Sequence, residues 1–320
     1  MTENPVPLIA KDFRYSPIAS MSFTVPDSRL RGEPDVPQVD PGPLRLLING
    51  LPTREIPVWD RGLSYGDGLF ETILIRGGAP CQWSRHLARL EFGCRRLRIP
   101  YVGGAVLAAE ARALTQGADG VLKILITRGA GGRGYRPLPL PCPRRALLFY
   151  PLPGYPVAWS RDGVILRWCA TPASQNRALA GIKHLNRLDS VLARAEWDDP
   201  AVAEGLMLRE DGRVVGGTMT NLFLWTGQSL ITPILDRAGI AGTVRALTLE
   251  LAVGLGIACR ECHLNARDLR PARGLFLTNA LIGCWPVRQL DGQDYAPHCL
   301  PWELLEAVAL AASTAEWPTT

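Results

Sequence analysis

Apolar runs of strand length, closed by turn-forming residues, recur along the first half of the chain. They predict strands at 44–49, 69–75, 121–127 and 145–150, with Asn49-Gly50 as a hairpin turn, 56–59 as its return strand and Gly77-Gly78 as a further turn. From Ser84 the period changes. Leu87, Leu90, Cys94 and Leu97 recur at three- and four-residue spacing, which predicts a helix with one apolar stripe and Ser84 as its cap.

The segment 151–156, Pro-Leu-Pro-Gly-Tyr-Pro, has the composition of a stiff linker. Beyond it strands and helices alternate afresh: strands at 163–169 and 205–208, a helix over 186–197, and a turn at Asp211-Gly212. Strand 221–225 pairs with 229–232 across Thr226-Gly227, and a helix follows at 242–252. The expected class is α/β (α+β) in two domains, a small one over 44–152 and a larger one over 153–320, preceded by a proline-rich extension at 1–43.

Composition narrows the function. With 320 residues and 47% hydrophobic content there is material for two cores. A net charge of +5 without basic runs argues against nucleic acid as a partner. The proline-rich start has no apolar stretch long enough for a signal core or a membrane span, so a cytoplasmic protein is expected, its eight cysteines reduced and mostly buried. Two motifs resemble cofactor sites by accident. Gly129 to Gly134 fits GxGxxG, but Pro137 and Pro139 follow where a phosphate-binding helix would have to open. Cys259, Cys262 and His263 fit a haem attachment sequence in a strand-like setting, and no second pair of ligands accompanies them to make a zinc site, so no metal is expected.

Lys183 carries the strongest chemical signal. It follows the small residues Ala180-Gly181 and precedes an amphipathic helix, an element edge where its amine could condense with a carbonyl cofactor. The small-residue loop 238–243 before the next helix offers backbone amides that suit a phosphate.

Several motifs occur here in the order found in fold-type IV pyridoxal phosphate (PLP) enzymes, the class IV aminotransferase family, which the chain resembles over about 44–290. They are Asp60-Arg61-Gly62, the run 66–72 from Gly66 to Thr72, His86-Leu87-Ala88-Arg89-Leu90, Lys183-His184-Leu185-Asn186, Thr220-Asn221-Leu222-Phe223 and Thr278-Asn279-Ala280-Leu281. Within that family the runs 183–188, 128–135 and 276–287 are most similar to members that convert 4-amino-4-deoxychorismate to 4-aminobenzoate and pyruvate in folate synthesis.

The resemblance implies PLP held as a Schiff base on Lys183, which then serves as general base and acid. It implies a phosphate gripped by Arg89, by the amides of Thr243 and Val244, and by the loop of Asn279 and Ala280. It also implies a dicarboxylate substrate met by Lys123, Arg133 and Tyr135, and a homodimer with each cleft bordered by a loop of the neighbouring chain. The family usually places a glutamate five residues before the asparagine of its Thr-Asn motif, where the carboxylate keeps the pyridine nitrogen protonated. Here that position is Gly216. Three readings follow: a lyase in which a hydroxyl of Thr218 or Thr220 hydrogen-bonds the unprotonated nitrogen, a branched-chain or D-amino-acid aminotransferase in which some other acid reaches the ring, and a catalytically impaired homologue.

Overall fold

A computed structural model describes residues 42–315 and Trp317; most of the expected N-terminal extension lies outside them. The first sheet is antiparallel, with strands β1 (Arg45–Ile48), β2 (Gly68–Arg76), β3 (Ala79–Pro80), β4 (Gly120–Thr127) and β5 (Arg144–Tyr150) in the order β1-β5-β4-β2-β3. One face packs on helix α2 (Trp83–Leu97) and α3 (Gly104–Thr115) around Leu90, Cys94, Leu107, Ile124 and Phe149. A short helix α1 (Arg61–Tyr65) leads into β2.

The expected strands therefore form, with one exception. Residues 56–59 do not return along β1: they carry no strand, Pro57 removes an amide from any ladder, and Ile56 and Trp59 remain exposed. β1 instead pairs with β5, whose apolar run offers it a full partner from Arg45 opposite Phe149 to Ile48 opposite Ala146. Helix α2 begins one residue before Ser84. Its cap is Gln82, in left-handed conformation without a side-chain cap bond, and the Gln82 amide donates instead to the Ala311 carbonyl.

The second sheet is mixed. Its strands are β6 (Val164–Trp168), β7 (Val202–Leu208), β8 (Val214–Gly217), β9 (Asn221–Trp225), β10 (Ser229–Pro233), β11 (Ala258–Cys262), β12 (Gly274–Asn279) and β13 (Gly283–Leu290), with β14 (Gln293–Asp294) beside β13. They run in the order β11-β10-β9-β12-β13-β6-β7-β8. Helices α6 (Thr243–Gly254) and α8 (Trp302–Ser313) cover one face around Phe223, Phe276, Leu304 and Val308. Along the other, α4 (Val157–Asp162) and α7 (Ala266–Leu269) flank a core of Val164, Leu206, Leu277 and Trp285.

The helix expected over 186–197 is shorter, α5 (Leu188–Arg194). At its start Leu185 donates its amide to Gly68 and the Asn186 side chain donates to the Gly66 carbonyl, so these residues serve tertiary pairing rather than a helical turn. No helix follows the glycines of 129–134. Among the described residues no helix is long and apolar enough to cross a membrane.

What positions the site is the strip 181–185, which is stitched to both sheets. Phe70 donates its amide to the Lys183 carbonyl and Leu185 donates to Gly68, against β2. On the other edge Gly181 donates to Gly239, and Ala241 donates to Gly181, against the loop that enters α6. Lys183 is thereby held by backbone bonds on either side of it in the chain, which fixes where its side chain can reach.

Candidate active site

Lys183 lies on the wall of a cavity of about 360 Å³ between the two sheets. Its Nζ stands 4.3 Å from the centre of the Phe70 ring, with Lys123 Nζ 5.7 Å from the same ring. Burial, then the nearby Arg89 cation, push the lysine pKa down to about 7, against the pull of Glu71, with Arg187 and Lys123 adding to the fall. An amine in that range is uncharged in a useful fraction near neutrality, which nucleophilic attack on a carbonyl requires.

Arg89 reaches the cavity from α2 and is fixed by Glu71 of β2. Arg89 Nε and Nη2 donate to the two carboxylate oxygens of Glu71 at 2.8 and 2.5 Å, and Nη1 donates to the Ala241 carbonyl at 3.0 Å. The buried His86 ring approaches the same carboxylate through Nδ1 at 2.6 Å. Burial raises the Glu71 carboxyl, but Arg89 and the bonds from Arg89 and His86 outweigh it and hold the pKa down at about 2. Burial in turn lowers the imidazole of His86. Glu71 and Thr72 face opposite ways along β2, as alternation requires: Glu71 grips the arginine while Thr72 lines the cavity.

One end of the cavity has the character of an anion cradle. Gly242 caps α6 without a side-chain bond, so the first-turn amides at Thr243 and Val244 have no acceptor within the helix. The hydroxyl of Thr243 is buried with no partner among the described residues, as is that of Thr278 in β12, which lies off the cavity wall. Asn279, next to it, accepts the amides of Leu281 and Ile282 on its Oδ1, which folds the 279–282 turn against the cavity. The Asn221 side chain donates to the Ile240 carbonyl at 2.9 Å and crosses so close to Gly242 that a Cβ there would fall 2.1 Å from its Oδ1. An orphaned hydroxyl at Thr243, a helix start and a fixed arginine suit a phosphate monoester, so the residues fit the phosphate of PLP.

The cavity is also lined by Gly216, Gly217, Thr218 and Thr220. Gly216 supplies no carboxylate, but the neighbouring strand does. Glu204 of β7 is wholly buried, with its carboxylate beside Gly217. Its Oε1 accepts from the amides of Gly205 and Thr218 and from the Thr218 hydroxyl at 2.6 Å; its Oε2 accepts from the Met219 amide and the Thr220 hydroxyl at 3.0 Å. Burial raises this carboxyl's pKa above the ordinary value, while the hydroxyls of Thr218 and Thr220 and the amides of Met219 and Gly205 oppose the rise. Since all five contacts donate to it, the arrangement suits the ionised form.

Lys183, Arg89, Gly216, Thr243, Asn279 and Ala280 thus converge on one cavity, with Val244 just behind the wall in α6. Lys123 stands one residue outside the wall, opposite Thr72 in the β2–β4 register. Arg133 and Tyr135 do not join it. Both are exposed in the loop after β4, Tyr135 at 85%, where Arg61 donates to the carbonyls of Gly134 and Tyr135 and Tyr65 packs on the Tyr135 ring.

Three participants escaped the sequence reading. Glu71 lies in the run 66–72 that carries the resemblance but was given no role there, and Glu204 was not singled out; a carboxylate in an apolar strand is stable only with donors that the sequence does not show. Arg187, four residues after Lys183, lines the cavity with no carboxylate in contact among the described residues; it donates to the Asn186 carbonyl and meets His184 Nε2 at 2.8 Å. His184 is lowered to about 4 by burial and then by Arg187, so it is neutral and suited to orienting its neighbour.

With this geometry in place, the chain belongs to the aminotransferase class IV family, whose model matches residues 68–290. Within it the chain is similar to 4-amino-4-deoxychorismate lyase from Pseudomonas aeruginosa, a solved structure at 45% identity and TM-score 0.78, covering 82% of this chain and 98% of that one. It is 34% identical to the aminodeoxychorismate lyase of Vibrio harveyi over 77% of this chain and 92% of that protein. A putative branched-chain-amino-acid aminotransferase from Methanocaldococcus jannaschii is 29% identical over 78% of this chain and 89% of its own length.

Proposed function

We propose that the protein is a PLP-dependent lyase that converts 4-amino-4-deoxychorismate to 4-aminobenzoate and pyruvate, a cytoplasmic step of folate synthesis. The observation that carries this reading is the amine of Lys183, held near pKa 7 in a cavity whose far end is a phosphate cradle. Similarity to two lyases at 34% and 45% identity supports the choice of reaction.

Bound PLP supplies a carbonyl that condenses with amines and a ring that draws electrons from the attached carbon. The protein's own residues do the rest. Arg89 and the amides of Thr243 and Val244 would hold the phosphate, together with the turn at Asn279 and Ala280. Lys183 Nζ holds the cofactor in the resting state. In the reaction its amine would take the proton from the amine-bearing ring carbon of the substrate. The ether bond to the enolpyruvyl group then breaks, the ring becomes aromatic, and the departing group takes up a proton to leave as pyruvate. Substrate carboxylates meet the cations Lys123 and Arg187 on this chain's side, with the Arg133 cation and the Tyr135 hydroxyl brought by the partner of a homodimer.

The test is direct. Protein incubated with PLP and 4-amino-4-deoxychorismate is expected to release pyruvate and 4-aminobenzoate in equal amounts, and Lys183→Ala to release neither. A second reading, amino-group transfer to a 2-oxo acid, draws support from the similarity to an aminotransferase. Amino acids that convert the cofactor to its amine form, with no pyruvate released from the chorismate derivative, would favour it. An inert holoprotein in both assays would mean an impaired homologue, a reading opposed by the joint presence of Lys183, Arg89 and Glu71.

A further inference from the structure

Position 216 leaves the ring nitrogen of PLP without the carboxylate that the resemblance leads one to expect. The structure holds a buried carboxylate one strand away. In the β7–β8 register Leu206 lies opposite Gly217, so Glu204 projects past the end of β8 into the turn before β9. There it gathers the hydroxyls of Thr218 and Thr220, both of which line the cavity. Gly217 is what lets it come so close: a Cβ there would fall 2.6 Å from Glu204 Oε2 and 2.2 Å from the Thr220 hydroxyl.

The direction of these bonds matters. A hydroxyl has one proton, and in both threonines that proton is committed to Glu204. Toward the cavity each oxygen therefore offers lone pairs only. An acceptor of this kind binds a protonated nitrogen and repels an unprotonated one, and a carboxylate behind the hydroxyl strengthens it as an acceptor. This reverses the expectation that Thr218 or Thr220 donates to an unprotonated ring.

We infer that Glu204, acting through the hydroxyls of Thr218 and Thr220, is the positioning residue that keeps the pyridine nitrogen of PLP protonated in place of a carboxylate at position 216. The inference rests on the proposed PLP chemistry. It gives Glu204 an electrostatic role beyond closing a turn, because a purely structural glutamate would leave the state of the ring nitrogen unchanged.

The experiment uses holoprotein reconstituted with PLP labelled with nitrogen-15 in the ring, read by NMR, with borohydride fixation and mass spectrometry of Lys183 alongside. Wild type is expected to carry the adduct and to show the pyridinium resonance. In Glu204→Gln that resonance is expected to move to the free-pyridine position, with at least about a tenfold loss of PLP affinity, the size of one charged hydrogen bond. Should Glu204→Gln fail to fold, the double variant Thr218→Val/Thr220→Val decides, since it keeps the carboxylate and its backbone donors and removes only the link. A free-pyridine signal in wild type, or a pyridinium signal in every folded variant, overturns the inference while leaving the lyase reading intact. Absence of any adduct on wild-type Lys183 overturns both.

Discussion

At the scale of single residues the governing fact is the amine of Lys183, whose pKa falls to about 7 from the ordinary 10.5 because burial and neighbouring cations disfavour its charged form. The consequence is a pH profile. Below the folded value the amine is protonated and condensation with PLP slows about tenfold per pH unit; above it the rate levels off. Stopped-flow mixing of apoprotein with PLP is expected to show half-maximal rate near pH 7, where an unperturbed lysine would still be rising well past pH 9. Arg187 contributes to the lowering, so Arg187→Ala favours the charged amine and is expected to move the half-point to higher pH. A profile that stays in place would mean that this cation does not reach the lysine. Sequence was informative about Lys183 itself, because its neighbours Ala180, Gly181 and the following apolar residues mark an element edge. It was silent on the depressed pKa, which depends first on burial in the folded chain and then on Arg89 and Lys123 approaching from elsewhere in the sequence, with Arg187 four residues on.

At the scale of elements, the start of α6 makes a distinct prediction. The Thr243 hydroxyl is buried without a partner among the described residues, a state that costs stability in the apoprotein until an acceptor arrives. Thr243→Val is therefore expected to leave the apoprotein's melting temperature unchanged or slightly higher, while PLP affinity, followed by cofactor absorbance on dialysis, falls about tenfold. A variant that loses apoprotein stability and keeps its affinity would assign the hydroxyl to the core instead. This helix was legible in the small residues of 238–243 and the apolar run after them, as was α2 in its stripe of Leu87, Leu90, Cys94 and Leu97. The return strand at 56–59 misled because a hairpin turn at Asn49-Gly50 promises a local partner. The apolar face of β5, a hundred residues away, provides a better one. The shortening of α5 had the same kind of cause, since Leu185 and Asn186 are used in long-range bonds to Gly68 and Gly66.

At the scale of the whole molecule, the loop after β4 stands out because it carries two expected substrate residues and neither faces its own chain's cavity. Arg61 pins the loop outward through the carbonyls of Gly134 and Tyr135, and is itself anchored on Asp67 at 2.8 Å, so the outward pose is built in rather than accidental. The proposed role of Arg133 at a dicarboxylate therefore depends on the proposed homodimer, with a second copy of the chain supplying it. Complementation tests this. Lys183→Ala and Arg133→Ala chains are each expected to be inactive as pure dimers. Mixed in equal amounts and allowed to exchange, half of the dimers carry one chain of each kind, and each of these contains one site with both Lys183 and Arg133 intact. Lyase activity is then expected to recover to roughly one quarter of the wild-type value. If Arg133 served the cavity of its own chain, every hybrid dimer would combine one site lacking the lysine with one lacking the arginine. The mixture would then stay as inactive as its components.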